Sequence, residues 1–402
     1  MAKKKVADED SIFNLIAKKL DGDVLADAVP VQYFLDTGNL AFNWVLSGKF
    51  MHGGIPGGKI TEFFGPEASG KSYWGANIAR GTQAIGAIPV YLDCENSLNN
   101  DFVVKTSHID LNRIIRFDPS KGVDCLEGVF NKIYTVIKTV RDAKDDRPIV
   151  FIYDSIASSP CARELRETEI DMDKCTKEEY KAVVGGKEQP GERARICSRE
   201  FRKLGSVLEK SNATLLVLNQ TRMKIGVMYG NPETTAGGGE SLKFYASCRV
   251  RTSIQKKIEN KKLKTSIGIN LKVTNKKNRC CSPFREAEGV HLYWNDGVNP
   301  LSGLLTCLIQ DERIDKVGNG TYIVKEPWAA GQEIKFRASK AKNEIESDVL
   351  CKCPALIDAA TEQEVRDYFD VFGAAIKAGS NEENEETAVS SDDSSDDDYG
   401  AE

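Results

Sequence analysis

Gly65, Gly70, Lys71 and Ser72 stand in the spacing G-x-x-x-x-G-K-[ST] within GPEASGKSYW, between an apolar run, ITEFF, and a segment patterned as a helix. These residue types in this order suit an anionic ligand. Glycines let consecutive backbone N–H groups turn toward a phosphate, and the helix that follows adds the positive end of its dipole. Lys71 can then reach the terminal phosphates of a nucleotide, and the Ser72 hydroxyl can ligate Mg²⁺. The whole turn, Gly65, Pro66, Glu67, Ala68, Ser69, Gly70, Lys71, Ser72 and Tyr73, is expected to wrap a triphosphate.

Two strand ends that carry carboxylates extend this chemistry. PIVFIYDS ends a continuous apolar run on Asp154, placed like an acid that organises Mg²⁺, so Ser72 and Asp154 form the expected metal pair. VYLDCEN ends another such run on Asp93 and Glu95. In open parallel sheets the carboxyl ends of strands face the ligand crevice, where a glutamate can orient or deprotonate the attacking water. The three histidines, His52, His108 and His291, are far apart and in no ligand spacing, which argues against a histidine-built centre.

These residues need a frame, and the apolar pattern supplies one. KITEFFG, IPVYLDCE, PIVFIYDS and ATLLVLNQ read as buried strands, and they alternate with helical patterns beginning at Lys71, spanning Val129 to Val140, and spanning 192 to 210. Alternation of this kind predicts an α/β fold with a mainly parallel central sheet covered by helices on both faces. SCRVRTSI, GINLKVTNK and GVHLYWND follow without intervening helices and are expected to extend the sheet antiparallel. Upstream, SIFNLIAKKL places Ile12, Leu15, Ile16 and Leu20 on one stripe of a short helix that needs a surface to cover it.

Composition excludes some classes. The 402 residues are 41% hydrophobic, enough for a packed core, with no signal-peptide apolar region at the start and no run long enough to cross a membrane. A soluble, unexported, cytoplasmic protein is the expectation. Eleven cysteines without paired CxxC spacing read as reduced core or surface thiols rather than a disulfide framework or a zinc site. Net charge is −5, but residues 381–402 hold ten carboxylates and no Lys or Arg, so the rest of the chain carries +5. That tail is expected to be disordered and, as a polyanion, to compete for a basic groove.

A longer stretch narrows the function. LNQTRMKIGVMYGNPETTAGGGESLKFYAS, residues 218–247, resembles the second DNA-binding loop and flanks of RecA recombinases, and the resemblance runs from about Asp36 to Leu305 through LDCENSLNN, IYDSIA, ARICSREFRKLG and KKNRCCSPF. NPLSGLL and the short C-terminal region are more similar to the phage UvsX type. Composition of the loop is compatible, since Arg222, Lys224 and Lys243 lie among five glycines that let the backbone approach a phosphodiester.

The resemblance implies a RecA-like P-loop NTPase core at 36–300, an N-terminal oligomerisation helix and linker at 1–35, a small α+β C-terminal domain at 301–378 and the acidic tail at 379–402. It implies ATP and Mg²⁺ as cofactors, Glu95 as catalytic glutamate, and Gln220 as the residue that relays the state of the terminal phosphate to the DNA loop. Lys277 and Arg279 would reach a neighbouring subunit's ATP, and Lys243 and Phe244 would join that subunit contact. DNA would be held by Gly191, Arg195, Ser198 and Arg202 of one segment and by Arg222, Lys224, Ile225, Gly226, Thr234, Thr235, Gly237 and Gly238 of the other, with Ile225 as a wedge between base steps. Asn99 and Phe102 replace an acid and a tyrosine near the adenine, where Phe102 can still stack and Asn99 still accept a hydrogen bond. Residues 159–192 are longer and more acidic than the family's first DNA loop.

The implied partners are single-stranded DNA, a homologous duplex, further copies of the chain in a head-to-tail helical filament, and single-strand-binding and loader proteins, with no membrane. The implied place is a host cytoplasm or nucleoid-like compartment. A ring helicase built on a similar core, and a non-enzymatic scaffold, remain as alternatives. Lys277 with Arg279 and the 221–243 loop speak against the first, and Lys71, Glu95 and Asp154 against the second.

Overall fold

Alternating side chains along buried strands need apolar cover on both faces, and this requirement organises the molecule. The computed structural model describes residues 12–22, 31–168, 191–223, 233–235, 237–260, 264–338 and 345–373. The acidic tail, the linker at 23–30, most of the 159–192 insertion and the wedge segment with Lys224, Ile225 and Gly226 lie outside them.

In chain order, the first helix, α1, covers 12–20. Then come β1 (Phe34–Leu35), α2 (Leu40–Ser47), β2 (Ile55–Pro56), β3 (Ile60–Gly65), α3 (Lys71–Ala84), β4 (Ile88–Asp93), α4 (Asn100–Ser107), β5 (Ile115–Phe117), α5 (Leu126–Asp142) and β6 (Ile149–Asp154). They are followed by α6 (Ala162–Thr168), α7 (Glu192–Lys210), β7 (Ala213–Met223), β8 (Glu233–Thr235), α8 (Gly239–Tyr245), β9 (Cys248–Asn260), β10 (Thr265–Asn278), β11 (Glu286–Tyr293) and β12 (Gly297–Val298). The last described part holds α9 (Leu304–Gln310), a three-stranded sheet of β13 (Ile314–Gly318), β14 (Thr321–Val324) and β15 (Lys335–Arg337), then α10 (Ser347–Lys352) and α11 (Glu362–Phe372).

The main sheet runs β12-β11-β10-β9-β3-β7-β6-β4-β5, with β8 paired to β7. Strands β9, β3, β7, β6, β4 and β5 are mutually parallel, and β10 to β12 continue antiparallel. The antiparallel part therefore begins one strand later than the sequence suggests. SCRVRTSI, expected to be antiparallel, enters parallel to β3 with Cys248 opposite Thr61, because α8 carries the chain back over the sheet before β9 starts.

Period-two alternation sorts the strand residues onto two faces. Phe63, Tyr91, Val150, Ile152, Leu216 and Leu218 point toward α2 and α3, where Phe42 meets Trp74 edge to face at 4.7 Å. Their neighbours Val90, Leu92, Phe151, Tyr153, Leu215 and Val217 point toward α5 and α7, where Phe130 packs on Phe201. Leu350, Leu356, Val365, Tyr368 and Phe372 join the first of these clusters, so the C-terminal helices share its apolar core. On α1 the stripe of Ile12, Leu15, Ile16 and Leu20 is exposed, as is Phe13. Among the described residues no helix is long and apolar enough to cross a membrane.

Asp36, beside this shared core, allows a pH test. Its carboxylate accepts from Gly38 N–H and Asn43 Nδ2, with the Tyr368 hydroxyl at 3.3 Å, yet burial pushes it up to about 6. The folded state thus holds the proton more tightly than the unfolded chain, and the stability this confers is present below about pH 4 and lost as pH rises through about 6. Chemical denaturation across that window should show wild type losing on the order of 2 kcal/mol relative to Asp36→Asn. Parallel pH profiles of the two proteins would contradict the assignment.

Candidate active site and nucleic-acid interface

Four neighbouring parallel strands, β3, β7, β6 and β4, bring their C-terminal halves together where β3 turns into α3. Asp93 and Asp154 are register partners on β4 and β6, and Gly65 is the register partner of Gln220 on β7. The loop between Gly65 and Lys71 needs backbone that only small residues allow. A Cβ on Gly65 would sit 2.3 Å from the Thr252 carbonyl oxygen, and Gly70 takes a φ of 75° as it starts α3. Ser69 braces the loop, its Oγ donating to the Pro66 carbonyl and lying 3.0 Å from Thr252 Oγ1.

The start of α3 suits an anion. Gly70 brings no side-chain oxygen to cap the helix, and the first turn contains no acid, so its N–H groups face the loop without a competing carboxylate. Lys71 folds over the same loop, donating from Nζ to the carbonyls of Gly65 and Pro66 at 3.2 and 2.6 Å. Burial lowers the Lys71 pKa even with Asp154, Glu95 and Glu67 nearby. Glu67 and Ala68 are exposed on the outer side of the turn. Tyr73 departs from the rest: its hydroxyl donates to the Trp294 carbonyl and its ring packs near Trp294, so only its backbone faces the phosphate loop.

Ser72, on the first turn of α3, lies beside Asp154, where its hydroxyl favours the charged carboxylate. Tyr91 donates to Asp154 Oδ2 at 2.7 Å from the other side. Burial raises Asp154 to about 6, and the charges of Glu95 and Asp93 add to that rise. A hydroxyl and a buried carboxyl that is short of positive charge fit a hard divalent cation completed by ligand oxygens. That composition also suits the observation that no cluster of three or more His, Cys, Asp or Glu side chains with ligand geometry exists among the described residues.

Glu95 stands at the mouth of this crevice. Ser155 Oγ donates to Glu95 Oε1 at 2.5 Å, and Gln220 Nε2 lies 3.5 Å from the same oxygen. Asp93, the other strand-end acid, is fully buried, ion-paired to Arg116 at 2.6 Å, and accepts the N–H groups of Ser97 and Leu98. It shapes the turn that carries Glu95 and is closed to a ligand. Asn99 is exposed one residue before α4, its carbonyl accepting from Val103 N–H. Phe102 lies on α4, and its side chain is outside the described residues.

The segments expected to meet DNA converge beside Gln220. Arg222 pairs with Thr234 and Thr221 with Thr235, so an antiparallel clasp of β7 and β8 closes the base of the loop. Asn219 pins its far end, donating to the Gly237 carbonyl and accepting from the Gly237 N–H, both at 3.0 Å. Gly238 starts α8 with a φ of 76°. On α7, Gly191 forms the N-terminal cap position, and Arg195, Ser198 and Arg202 share an exposed stripe opposite the buried Ile196, Phe201, Leu204 and Leu208. Arg193 ties that helix to the Ile156 carbonyl at 3.1 Å.

One polar chain through this region has no motif. Asn219 Nδ2 also donates to the fully buried Glu62 at 2.8 Å, and Glu62 is ion-paired to Arg249 on β9. Arg249 lies over the Phe64 ring and lines a cavity of about 460 Å³ with Thr234, Thr235, Lys243, Arg251 and Lys276. A glutamate inside ITEFF was the available signal, because a charge buried in a strand requires a partner. Its partner is 187 positions away.

Lys277 and Arg279 lie elsewhere, at the C-terminal end of α8. Lys277 Nζ donates to the carbonyls of Lys243 and Phe244 at 2.7 and 2.8 Å, and Arg279 donates to Phe244 at 3.2 Å. Burial lowers the Lys277 pKa, with Arg279 and Arg249 adding to the effect, whereas the Lys71 pKa responds to the crevice carboxylates. Lys243 pairs with Glu240 beside them, and the Phe244 ring is 67% exposed.

The loop base allows a sharp test. A Cβ on Gly237 would lie 2.7 to 2.8 Å from Ile156 side-chain and backbone atoms, closer than carbon atoms pack. Gly237→Ala should weaken ATP-dependent binding of single-stranded DNA by roughly tenfold or more, on the scale of an overpacking cost of 1–3 kcal/mol. ATP affinity without DNA should stay near wild type. Fluorescence anisotropy and nucleotide titration measure the two, and equal losses in both would mean that Gly237 serves the fold alone.

Residues 26–299 match the family model described as RecA N-terminal domain. Protein RecA of Thermus aquaticus is 32% identical over 337 residues, covering 82% of this chain and 88% of that protein. Protein RecA of Geobacter metallireducens is 33% identical over 292 residues, 73% of this chain and 76% of its own length. Protein RecA of Leptospira meyeri is 31% identical over 306 residues, 73% and 71% of the two chains.

Proposed function

Because this chain belongs to the RecA family, we propose that it is an ATP-dependent recombinase of the phage UvsX type, which assembles on single-stranded DNA and pairs it with a homologous duplex. The observation that carries this reading is the position of Gln220. It is the register partner of Gly65, it faces Glu95, and the clasp of the DNA loop begins with the next residue. A strand that ends on a phosphate crevice and continues into a loop over a cationic cavity lets occupancy of one site bias the other.

ATP with Mg²⁺ supplies a phosphoryl group activated for attack by water, and every further role falls to the chain. Gly65 to Ser72 hold the phosphates through backbone N–H groups and Lys71, while Ser72 and Asp154 hold the cation. Glu95, oriented by Ser155, takes a proton from the attacking water. Gln220 meets the terminal phosphate and carries its presence through Asn219 to the Gly237 end of the loop. Arg195, Ser198, Arg202, Arg222, Thr234, Thr235, Gly237 and Gly238 track the DNA backbone together with Gly191, Lys224 and Gly226, while Ile225 wedges between base steps. Lys277 and Arg279, engaged with α8 rather than with their own crevice, serve the ATP of the neighbouring protomer, with Lys243 and Phe244 in the same contact. The exposed stripe of α1 belongs to that assembly as well, and a head-to-tail contact that does not close gives a helical filament.

Incubation of the protein with ATP, single-stranded DNA and a homologous duplex tests this directly. Joint molecules and extended filaments in electron micrographs are expected. Closed rings that unwind duplex directionally without homology would replace the recombinase with a helicase.

A further inference from the structure

The cavity of about 460 Å³ at the base of the DNA loop draws cations from three elements. Lys243 reaches it from α8, Arg249 and Arg251 from β9 and Lys276 from β10, while Thr234 and Thr235 of β8 bring two hydroxyls. No carboxylate stands among the described residues that line it. Side chains alternate along β9, so Arg249 and Arg251 share a face, in register with Glu62 and Phe64 of β3. Arg249 is fixed there: it is ion-paired to the buried Glu62, lies over the Phe64 ring at 4.7 Å, and its side chain is 12% exposed. Lys276 arrives by another route. Asn275 is opposite Val250 and Lys277 opposite Arg249, so Lys276 is one residue more on β10 than β9 has to pair with it. A bulge of this kind re-aims a side chain, and here it turns an exposed lysine to the cavity.

We propose that this cavity takes one phosphodiester of the single strand held by the loop, with Arg251 and Lys276 supplying charge and Thr234 and Thr235 supplying hydroxyl donors. The proposal rests on the reading of residues 221–243 as a DNA loop. A cavity lined by cations and by no described acid holds a positive potential, and an oxyanion is the ligand that it draws. Arginine suits a phosphate best, since its bonds to one are charge-assisted and can be made in pairs. The source of that phosphate follows from β8. Thr234 and Thr235 pair with Arg222 and Thr221 where the loop closes, so a strand gripped by the loop has its backbone beside the cavity.

The same cavity touches the nucleotide machinery twice. Arg251 is followed by Thr252, whose Oγ1 lies 3.0 Å from Ser69 Oγ in the phosphate turn. Lys243, which lines the cavity, also offers its carbonyl to Lys277 at 2.7 Å. A DNA phosphate seated on Arg251 is therefore one residue from the brace of the ATP loop, and each ligand biases the other.

A labelled oligothymidylate titrated with full-length protein and a non-hydrolysable ATP analogue, over a range of salt concentrations, reads the site. Arg251→Ala combined with Lys276→Ala should weaken binding roughly tenfold, about the worth of one charge-assisted contact. It should also flatten the slope of log affinity against log salt by about 0.7, for one phosphate no longer neutralised. Lys316→Ala combined with Lys352→Ala removes the same charge from exposed positions on β13 and α10 and should keep the wild-type slope. Arg251→Lys combined with Lys276→Arg retains both charges and should keep it as well. An unchanged slope in the alanine pair overturns the contact. Equal flattening in the Lys316 and Lys352 pair reduces it to net charge, and flattening in the charge-retaining pair reduces it to packing; either result overturns the site. An unchanged slope with slower phosphate release during hydrolysis would assign the cavity to the free anion and overturn it too. Wild-type protein that fails to hold the oligonucleotide with the analogue would sink the DNA reading itself, which the variants do not test.

Discussion

Glu95→Gln should lower ATP turnover by roughly 10²- to 10⁴-fold, the usual worth of a positioned general base, while ATP-dependent retention of single-stranded DNA survives. The amide keeps the shape of the side chain and can still accept from Ser155 Oγ, so the turn after β4 stays in place. The loss is confined to basicity toward water. Lys71 and the Ser72–Asp154 pair are untouched, which leaves binding of the nucleotide and the bias it exerts on the DNA loop. Phosphate release gives the rate, and anisotropy of a labelled oligonucleotide gives the binding. A variant that hydrolyses ATP at the wild-type rate would remove Glu95 from the reaction, whereas one that loses DNA binding would make it a structural residue.

The second large effect tests supply of cations between protomers. Replacing Lys277 and Arg279 together by alanine should cost roughly 10³-fold or more in DNA-stimulated hydrolysis, the range of a cation that neutralises a transferring phosphoryl group. Mixing this double variant with Glu95→Gln should then restore activity. Wherever the intact crevice of the first faces the intact cations of the second, a complete site forms. Random order along a head-to-tail filament makes that combination at about one contact in four, so about a quarter of wild-type turnover is expected. Two inactive proteins that stay inactive when mixed would place the cations in the service of their own crevice, or of the fold. In this structure both donate to the end of α8, and their loss removes three hydrogen bonds there. Circular dichroism of the double variant therefore accompanies the assay.

How much of this was legible beforehand differs from residue to residue. The placement of Gly65 to Ser72, Asp154 and Glu95 was readable because each position depends on neighbours within a few residues: a turn between strand and helix, or an acid at the end of an apolar run. Asp93 and Glu95 look equivalent in VYLDCEN, and burial together with Arg116, contributed by β5, and the N–H groups of Ser97 and Leu98 marks Asp93 as structural. Tyr73 belongs to the phosphate turn by position, and its ring turns inward because the side chain at that point of α3 faces Trp294.

The sequence by itself determined the local chemistry: a phosphate-wrapping turn, strand ends carrying carboxylates, alternation that demands a sheet covered twice, and a polyanionic tail. Such features are encoded at short range, through backbone permissiveness and the period of apolar residues. Tertiary structure alone decided which of these pieces touch. It set Gln220 beside Gly65 and Glu95, closed Glu62 on Arg249 and pinned Gly237 to Asn219. The physical reason is strand order: which strands become neighbours depends on the packing of the whole sheet, and no short window of residues contains that information.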